Sequence, residues 1–324
     1  MASMPTLRQV DGVEIVSLAD NSVDFASTVG RKGVYQVREW VKDRTGDEWA
    51  KKHFRLPVAE HGFSMLVKVF SNESFHTILF DAGVSREGVV ANASRMGLDL
   101  AEVECIVLSH GHYDHFGGLK GVLKVIGKKE LRIIAHEDMF KIRGSINSEG
   151  RVRKYSKFPS KDQVAPAKYL LTKGPHLLAD NSILITGEIP RKTAFERGFP
   201  RQRVFSDGKW QPDPWVWDDR AIVINIERKG LVVISGCAHA GIVNTTLYAQ
   251  QITGVAKVHA VMGGFHLGGK ECEPRISQTV EMLRKFNPEI VVPMHCTGWR
   301  GKYAIFKAVP KAFVWNSVGN LYRF

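Results

Sequence analysis

The chain has 324 residues, 44% of them apolar, and carries 45 Lys and Arg against 33 Asp and Glu, a formal charge of +12. That length and apolar share support a real packed core and exclude a disordered chain, and no apolar run reaches the roughly eighteen residues a membrane span needs. The cysteines, Cys105, Cys237, Cys272 and Cys296, are too scattered for a disulfide framework or a thiolate zinc knuckle.

Met1-Ala2-Ser3-Met4-Pro5 leads into polar chain rather than a signal-peptide core, so a soluble, cytoplasmic protein is expected, with no membrane partner. Residues 13–18 are an apolar run that stops at the turn pair Asp20-Asn21 and predict a strand. Residues 22–60 are charged, show little periodicity, and are expected to form a long loop or lid near the functional site. His61-Gly62-Phe63-Ser64 opens a strand over 65–70. Its hairpin neighbour follows the turn Ser71-Asn72-Glu73-Ser74 and ends at Asp81-Ala82-Gly83. An unpaired carboxylate at a buried strand end is costly. Asp81 is therefore either a turn aspartate bonded to nearby backbone or a group that orients a metal-bound histidine. Helical spacing over 87–96 sets Val89, Val90, Ala93 and Met96 on one face, and Gly97 ends the helix.

The β-branched run 103–108 then delivers Ser109-His110-Gly111-His112-Tyr113-Asp114-His115-Phe116-Gly117-Gly118. Three imidazoles and a carboxylate in six positions at a strand exit can converge, because Gly111 lets the backbone turn sharply between two of them. His110 and His112 can hold one metal ion, and Asp114 and His115, pointing the other way, a second a few ångströms off. This donor set suits zinc, iron or manganese. A helix over 117–126, with Leu119, Val122, Leu123 and Ile126 inward, and a strand over 131–135 complete an alternation that an α/β layered fold requires.

From 137 to about 219 the character changes to a basic insertion or lid, whose clearest strand is 182–186. Between Lys141 and Arg203 there are fourteen Lys or Arg against five Asp or Glu, an excess that attracts anions. A small anionic substrate is favoured over nucleic acid as the partner. Within this stretch lie Gly187-Glu188-Ile189-Pro190-Arg191 and the proline-broken Trp210-Gln211-Pro212-Asp213-Pro214-Trp215-Val216-Trp217, which either walls a pocket or packs down as a lid. Strands over 221–226 and 231–234 form a hairpin that ends at Ser235-Gly236-Cys237-Ala238-His239-Ala240-Gly241, followed by a helix from Ile242. A strand over 255–262 ends at Gly263-Gly264-Phe265-His266-Leu267, a helix spans 275–285, and a strand from Ile290 exits at Pro293-Met294-His295-Cys296-Thr297-Gly298. Separate strand ends carrying His or Asp beside small residues point to one shared site.

The His-x-His-x-Asp-His motif resembles the signature of the metallo-β-lactamase superfamily. The strand-exit sequences around His61, Asp81, Glu188, Cys237, His266 and His295 resemble its branch of dihydropterin-ribofuranosyl-aminobenzene-phosphate synthase-like proteins, over roughly residues 12–324. The resemblance implies an α/β (α+β) chain folded as an αββα sandwich, a single domain over 1–324, with the insertion at about 137–219. It implies two divalent transition-metal ions, most simply zinc: His110 and His112 on one, Asp114 and His115 on the other, with His239 and His295 completing the set. The commoner bridging aspartate of the superfamily has no counterpart after the motif, so either Cys237 or Glu188 takes that place near the ions or hydroxide alone bridges them, with Asp81 behind.

The expected chemistry is hydrolysis of an ester-like substrate (phosphodiester, lactone, ester or lactam) by metal-activated hydroxide. Asp114 is the proton acceptor, His266 or Tyr113 steadies developing charge, and Arg191, Trp215 and Trp217 hold the substrate. The resemblance equally implies a transferase that joins a dihydropterin diphosphate to an aminobenzene ribofuranosyl phosphate. A metal-bearing redox or nucleic-acid-binding protein is the remaining alternative, and an open His-rich loop fits it poorly.

Overall fold

In the computed structural model, residues 6–72 and 74–324 are described. Residues 1–5, read above as lacking a signal-peptide core, and Glu73, assigned to a turn, lie outside the described residues. Most long strands are apolar on both faces, and the layers explain why. In Gly12–Ala19, Val13 and Ile15 point between two sheets while Val16 and Leu18 point to helices on the outside. In Ala221–Ile226, Ile222, Ile224 and Ile226 share the inter-sheet core, and Val223 faces the helix Ile242–Thr253 through Ala249 and Ile252.

One sheet runs Lys168–Leu171, Arg132–Ala135, Cys105–Val107, Ser74–Phe80, Ser64–Ser71, Gly12–Ala19, Leu321–Arg323, Val34–Tyr35. The other runs His176–Leu178, Ile183–Ile185, Ala221–Ile226, Gly230–Ser235, Val258–Gly264, Ile290–Met294, with Gln9–Val10 beside Ala221–Ile226. Helices Val37–Thr45, Gly88–Arg95 and Leu119–Ile126 cover the first sheet. Ile242–Thr253, Ile276–Phe286 and Gly298–Ala308 cover the second. This is the αββα sandwich expected from the sequence. No helix among the described residues is long and apolar enough to cross a membrane.

Two stretches differ from expectation. Residues 22–60 contain the helices Val37–Thr45 and Asp47–His53 rather than a continuous loop. A capping box between Gln36 and Glu39 starts the first helix, and its short apolar face, Val37, Trp40 and Val41, is too brief for periodicity to reveal. Trp40 is buried and its Nε1–H donates to Gly319 O at 2.8 Å. Replacing it, Trp40→Ala, is expected to cost about 3–5 kcal/mol in urea unfolding. A loss below about 1 kcal/mol would contradict that placement.

The stretch 137–219 is also not a loop. It adds Lys168–Leu171 to one principal sheet and His176–Leu178 and Ile183–Ile185 to the other. It also builds a small antiparallel sheet, Lys209–Pro212, Gln202–Ser206, Ile142–Ile146 and Val152–Lys154. These strands are short and polar, with exposed Arg153, Lys154 and Lys209, so their alternation is concealed by charge.

Parallel pairing puts the site together. Ser74–Phe80, Cys105–Val107 and Arg132–Ala135 are parallel neighbours, as are Gly230–Ser235, Val258–Gly264 and Ile290–Met294. Asp81, His110, Cys237, His266 and His295 therefore all follow the carboxyl ends of strands, where open α/β sheets gather their functional groups.

Candidate metal centre

His110 Nε2, His112 Nδ1 and His239 Nε2 form a triangle with sides of 3.0, 3.2 and 3.2 Å. Its hydrogen-bond surroundings decide what those atoms carry. Asp81 accepts the Ser109 N–H on Oδ1 and the Ser109 Oγ–H on Oδ2, both at 2.7 Å. Ser109 Oγ has then given away its proton and can only accept from His110 Nδ1–H, at 2.9 Å. His110 Nε2 is left as a bare lone pair. His112 Nε2–H donates to Gln202 Oε1 at 3.3 Å, which leaves its Nδ1 bare as well. Two lone pairs 3.0 Å apart in a buried site repel unless a cation lies between them. Nitrogens bound to one ion at about 2.0–2.1 Å stand about 2.9–3.4 Å apart, so the triangle fits a metal ion.

A second set sits beside it. His115 Nδ1–H donates to Asp81 Oδ2 at 2.6 Å, aiming Nε2 inward. Asn21 Nδ2–H donates to His295 O, so Asn21 Oδ1 accepts from His295 Nδ1–H at 3.3 Å. That leaves His295 Nε2 buried 3.2 Å from Asp114 Oδ2, where either an Nε2–H or a metal ion joins the two. His61 Nε2 lies 3.6 Å from the same carboxylate oxygen and stacks on His295. Asp114, His295 and the exposed His61 lie within 4.8 Å of one another and can hold a second ion, with His115 Nε2 bordering them 4.0 Å from Asp114 Oδ2.

The local fields agree with this arrangement. Burial, then the neighbouring imidazoles, holds His110 well below the usual histidine range, and burial alone is the chief cause of His112 falling to about 4. Burial, then His266, likewise depresses His239. For His115 burial pulls downward, yet Asp81 and Asp114 lift it to about 9. Two carboxylates beside one imidazole call for a positive charge, which either a proton or a metal ion on Nε2 supplies. Burial also opposes ionisation of Asp114, but His115 and His295 hold it well below the ordinary carboxylate range.

The structure does not bring together every residue singled out from the sequence. Glu188 pairs with His136 at 3.1 Å, with its carboxylate partly in solvent, and belongs to neither set. Arg191, expected to meet substrate, spends its guanidinium on the carbonyl oxygens of Ile189, Trp215 and Val216 and lies over the Trp217 ring at 4.8 Å. Trp215 and Trp217 are paired with each other at 6.3 Å and braced by that arginine. Aromatic rings beside the histidines include Tyr155, 5.3 Å from His112, Phe199, 5.9 Å from His239, and Phe63, 6.0 Å from His115. Arg191→Ala is therefore expected to lower Tm and to reduce turnover of charged and neutral substrates alike, a loss of about 1–3 kcal/mol for the orphaned carbonyls. A rise in KM confined to charged substrates would contradict this.

His266 does lie at the centre, its ring 4.3 Å from His239, with Nδ1 3.3 Å from Cys272 Sγ. Burial, followed by Arg275, pushes it down to about 3, so it is a neutral ring. Several residues near the centre escaped sequence reasoning. Asp218 accepts Gly111 N–H at 2.8 Å, inside the histidine motif, and takes a bidentate fork from buried Arg143 at 2.7 and 2.6 Å. Asp219 accepts Ala240 N–H at 2.9 Å, next to His239. The signal was the Asp218-Asp219-Arg220 run just before an apolar strand, where three charges at a buried strand start need partners.

The sandwich and the histidine cluster at its strand ends define a class, and the chain belongs to the metallo-β-lactamase superfamily, whose family model matches residues 60–249. Within it, the chain is 31% identical over 272 residues to the 7,8-dihydropterin-6-methyl-4-(beta-D-ribofuranosyl)-aminobenzene-5'-phosphate synthase of Methanocaldococcus jannaschii, covering 82% of this chain and 90% of that one. An uncharacterized protein of the same organism is 32% identical over 291 residues, 85% of this chain and 96% of the relative. A solved metal-dependent hydrolase of the beta-lactamase superfamily shares the fold with a TM-score of 0.67 at 24% identity, over 96% of this chain and 98% of that one.

Proposed function

We propose that the protein is a dinuclear metal-dependent hydrolase of small anionic, ester-like substrates. The observation that carries this reading is the pair of adjacent donor sets, the first with the bare nitrogens of His110 and His112 facing one another at 3.0 Å and the second with His295 Nε2 against Asp114 Oδ2 at 3.2 Å. His110, His112 and His239 would hold one ion, and Asp114, His115 and His295 the other. Bound there, divalent ions supply Lewis acidity and lower the pKa of water to about 7.

The chain's own groups would do the rest. Asp81 and Ser109 hold the Nδ1–H groups of His110 and His115 and so aim their Nε2 atoms inward. Asp114, partly reached by solvent, is the carboxylate placed to take a proton from attacking water. His266, neutral beside His239, is placed to donate a ring N–H to an oxygen that gains charge. Arg153 lies over the Tyr155 ring at 5.9 Å, and Tyr155 faces His112, which brings one cation of the basic stretch toward the centre. That supports an anionic substrate.

The relative named as a synthase favours a second reading, condensation of a dihydropterin diphosphate with an aminobenzene ribofuranosyl phosphate. Metal-loaded protein assayed against chromogenic phosphodiester, lactone, ester and lactam substrates separates the two. Hydrolysis lost on chelation supports the hydrolase. Intact substrates together with formation of the condensed pterin product establish the transferase instead.

A further inference from the structure

Cys237 follows the strand Gly230–Ser235 and is buried two residues before His239. Its sulfur lies 3.2 Å from His115 Nε2. It also lies within 4.8 Å of donor atoms of His110 on one side, and of His295 and Cys296 on the other. His110 belongs to the first donor set, His115 and His295 to the second, so this sulfur sits between the two. Resting on the dinuclear reading, we propose that Cys237 is a sulfur ligand between the two ions and makes the centre selective for thiophilic metals.

Three observations converge on it. Two carboxylates nearby are committed elsewhere, Asp81 to Ser109 and His115 and Asp218 to Gly111 and Arg143, and Asp219 gives one oxygen to Ala240. Asp114 alone remains as an oxygen donor among the described residues of the two sets, which leaves the space between them to sulfur. That space is kept clear by Gly264 on the adjacent strand, where a Cβ would stand 2.8 Å from Cys296 Sγ and 3.2 Å from Cys237 Cα. Gly236 has the same effect on the other side, since a Cβ there would stand 2.5 Å from Ser109 Cβ and 2.9 Å from Asp81 Oδ2. The strand end carrying Cys237 can then press against the pair that orients the histidines.

The distance is that of a chelating pair. A nitrogen at about 2.1 Å and a sulfur at about 2.3 Å from one ion stand about 3.1–3.6 Å apart for angles between about 90° and 109°. An ion bound to both atoms displaces the proton held between His115 Nε2 and the Cys237 sulfur, which leaves to solvent. A thiolate in the donor set favours Zn²⁺, Cd²⁺ or Co²⁺ over Mg²⁺ and Mn²⁺.

The test uses the full chain, stripped with chelator and titrated with Co²⁺. The expected result is a sulfur-to-cobalt charge-transfer band in the near ultraviolet, lost in Cys237→Ser and kept in Cys296→Ser. A chain carrying Cys105→Ala, Cys272→Ser and Cys296→Ser together keeps the band through Cys237 alone, which decides the matter even if Cys237→Ser does not fold. In competition, Cys237→Ser is expected to lower the preference for Cd²⁺ over Mn²⁺ by about tenfold or more. Two equivalents of Co²⁺ bound without the band, or a band that survives Cys237→Ser, overturns the ligand and leaves the hydrolase reading standing. Failure to bind two equivalents overturns both.

Discussion

Asp114→Asn is expected to lower hydrolytic turnover by about 10²–10⁴-fold while leaving the fold intact. The amide keeps the shape of the carboxylate but carries no negative charge and cannot take a proton. Asp114 Oδ2 is the atom that faces His295 Nε2 at 3.2 Å and His61 Nε2 at 3.6 Å, so the same change removes the anionic member of the second donor set. The loss should appear in kcat and kcat/KM together, because a proton acceptor acts in the transition state rather than in binding. Far-ultraviolet circular dichroism and Tm would report whether the fold survives. Turnover within about tenfold of the parent chain would remove Asp114 from the mechanism.

An effect on stability as large as that of Trp40→Ala belongs to a residue that sequence reasoning passed over. Asp218 is fully buried, and its oxygens receive both Nη groups of Arg143 and the amide of Gly111. Asp218→Ala strands a guanidinium in the interior, and breaking one partner of a buried pair costs about 3–5 kcal/mol. It also frees Gly111, between His110 and His112, so metal affinity should fall with stability. Replacing both partners, Arg143→Met with Asp218→Leu, should recover part of the unfolding free energy, because the fully buried pair is gone and only the less buried Asp213, 3.4 Å from Arg143 Nε, loses a partner. Metal affinity should not recover, since the Gly111 N–H still lacks its acceptor. Urea unfolding of the three chains with the metal removed measures the first effect, and metal titration measures the second. A cost below about 1 kcal/mol for Asp218→Ala would show that the pair is not a strut.

These two residues mark what sequence reveals and what it hides. Asp114 is legible because its neighbours in sequence are its neighbours in space: a strand ends, glycine allows a turn, and four donors follow within six positions. The sandwich is legible for a related reason. Strands such as Gly12–Ala19 and Ala221–Ile226 are apolar on both faces and stand between turn residues, which is how strands covered on both sides read. His239 and His295 are visible as strand exits, though only the folded chain shows their ring nitrogens turned inward.

Asp218, Asp219, Arg143 and Gln202 were not legible. Arg143 and Gln202 lie in short polar strands whose charge masks alternation, Asp218 and Asp219 show only as charges ahead of the apolar strand Ala221–Ile226, and each acts on the centre through a partner more than twenty residues away. Arg191 shows the opposite error. A cation in a basic stretch invites a role in substrate binding, but its planar fork matches converging carbonyl oxygens equally well, and that is where it went. Glu188 was misplaced for want of its partner His136, which no spacing discloses.

The central claim is that two metal ions sit where the lone pairs of the two donor sets converge. Metal content of chain purified without chelator, measured by elemental analysis alongside His112→Ala, tests it directly. His112 Nδ1 stands 3.0 Å from His110 Nε2 and 3.2 Å from His239 Nε2, so its loss should empty one position and leave the Asp114 set in place. The predicted result is about two ions per chain in the parent and about one or fewer in the variant. A parent chain that holds no transition metal after reconstitution and dialysis, or a variant with unchanged stoichiometry, would contradict the account.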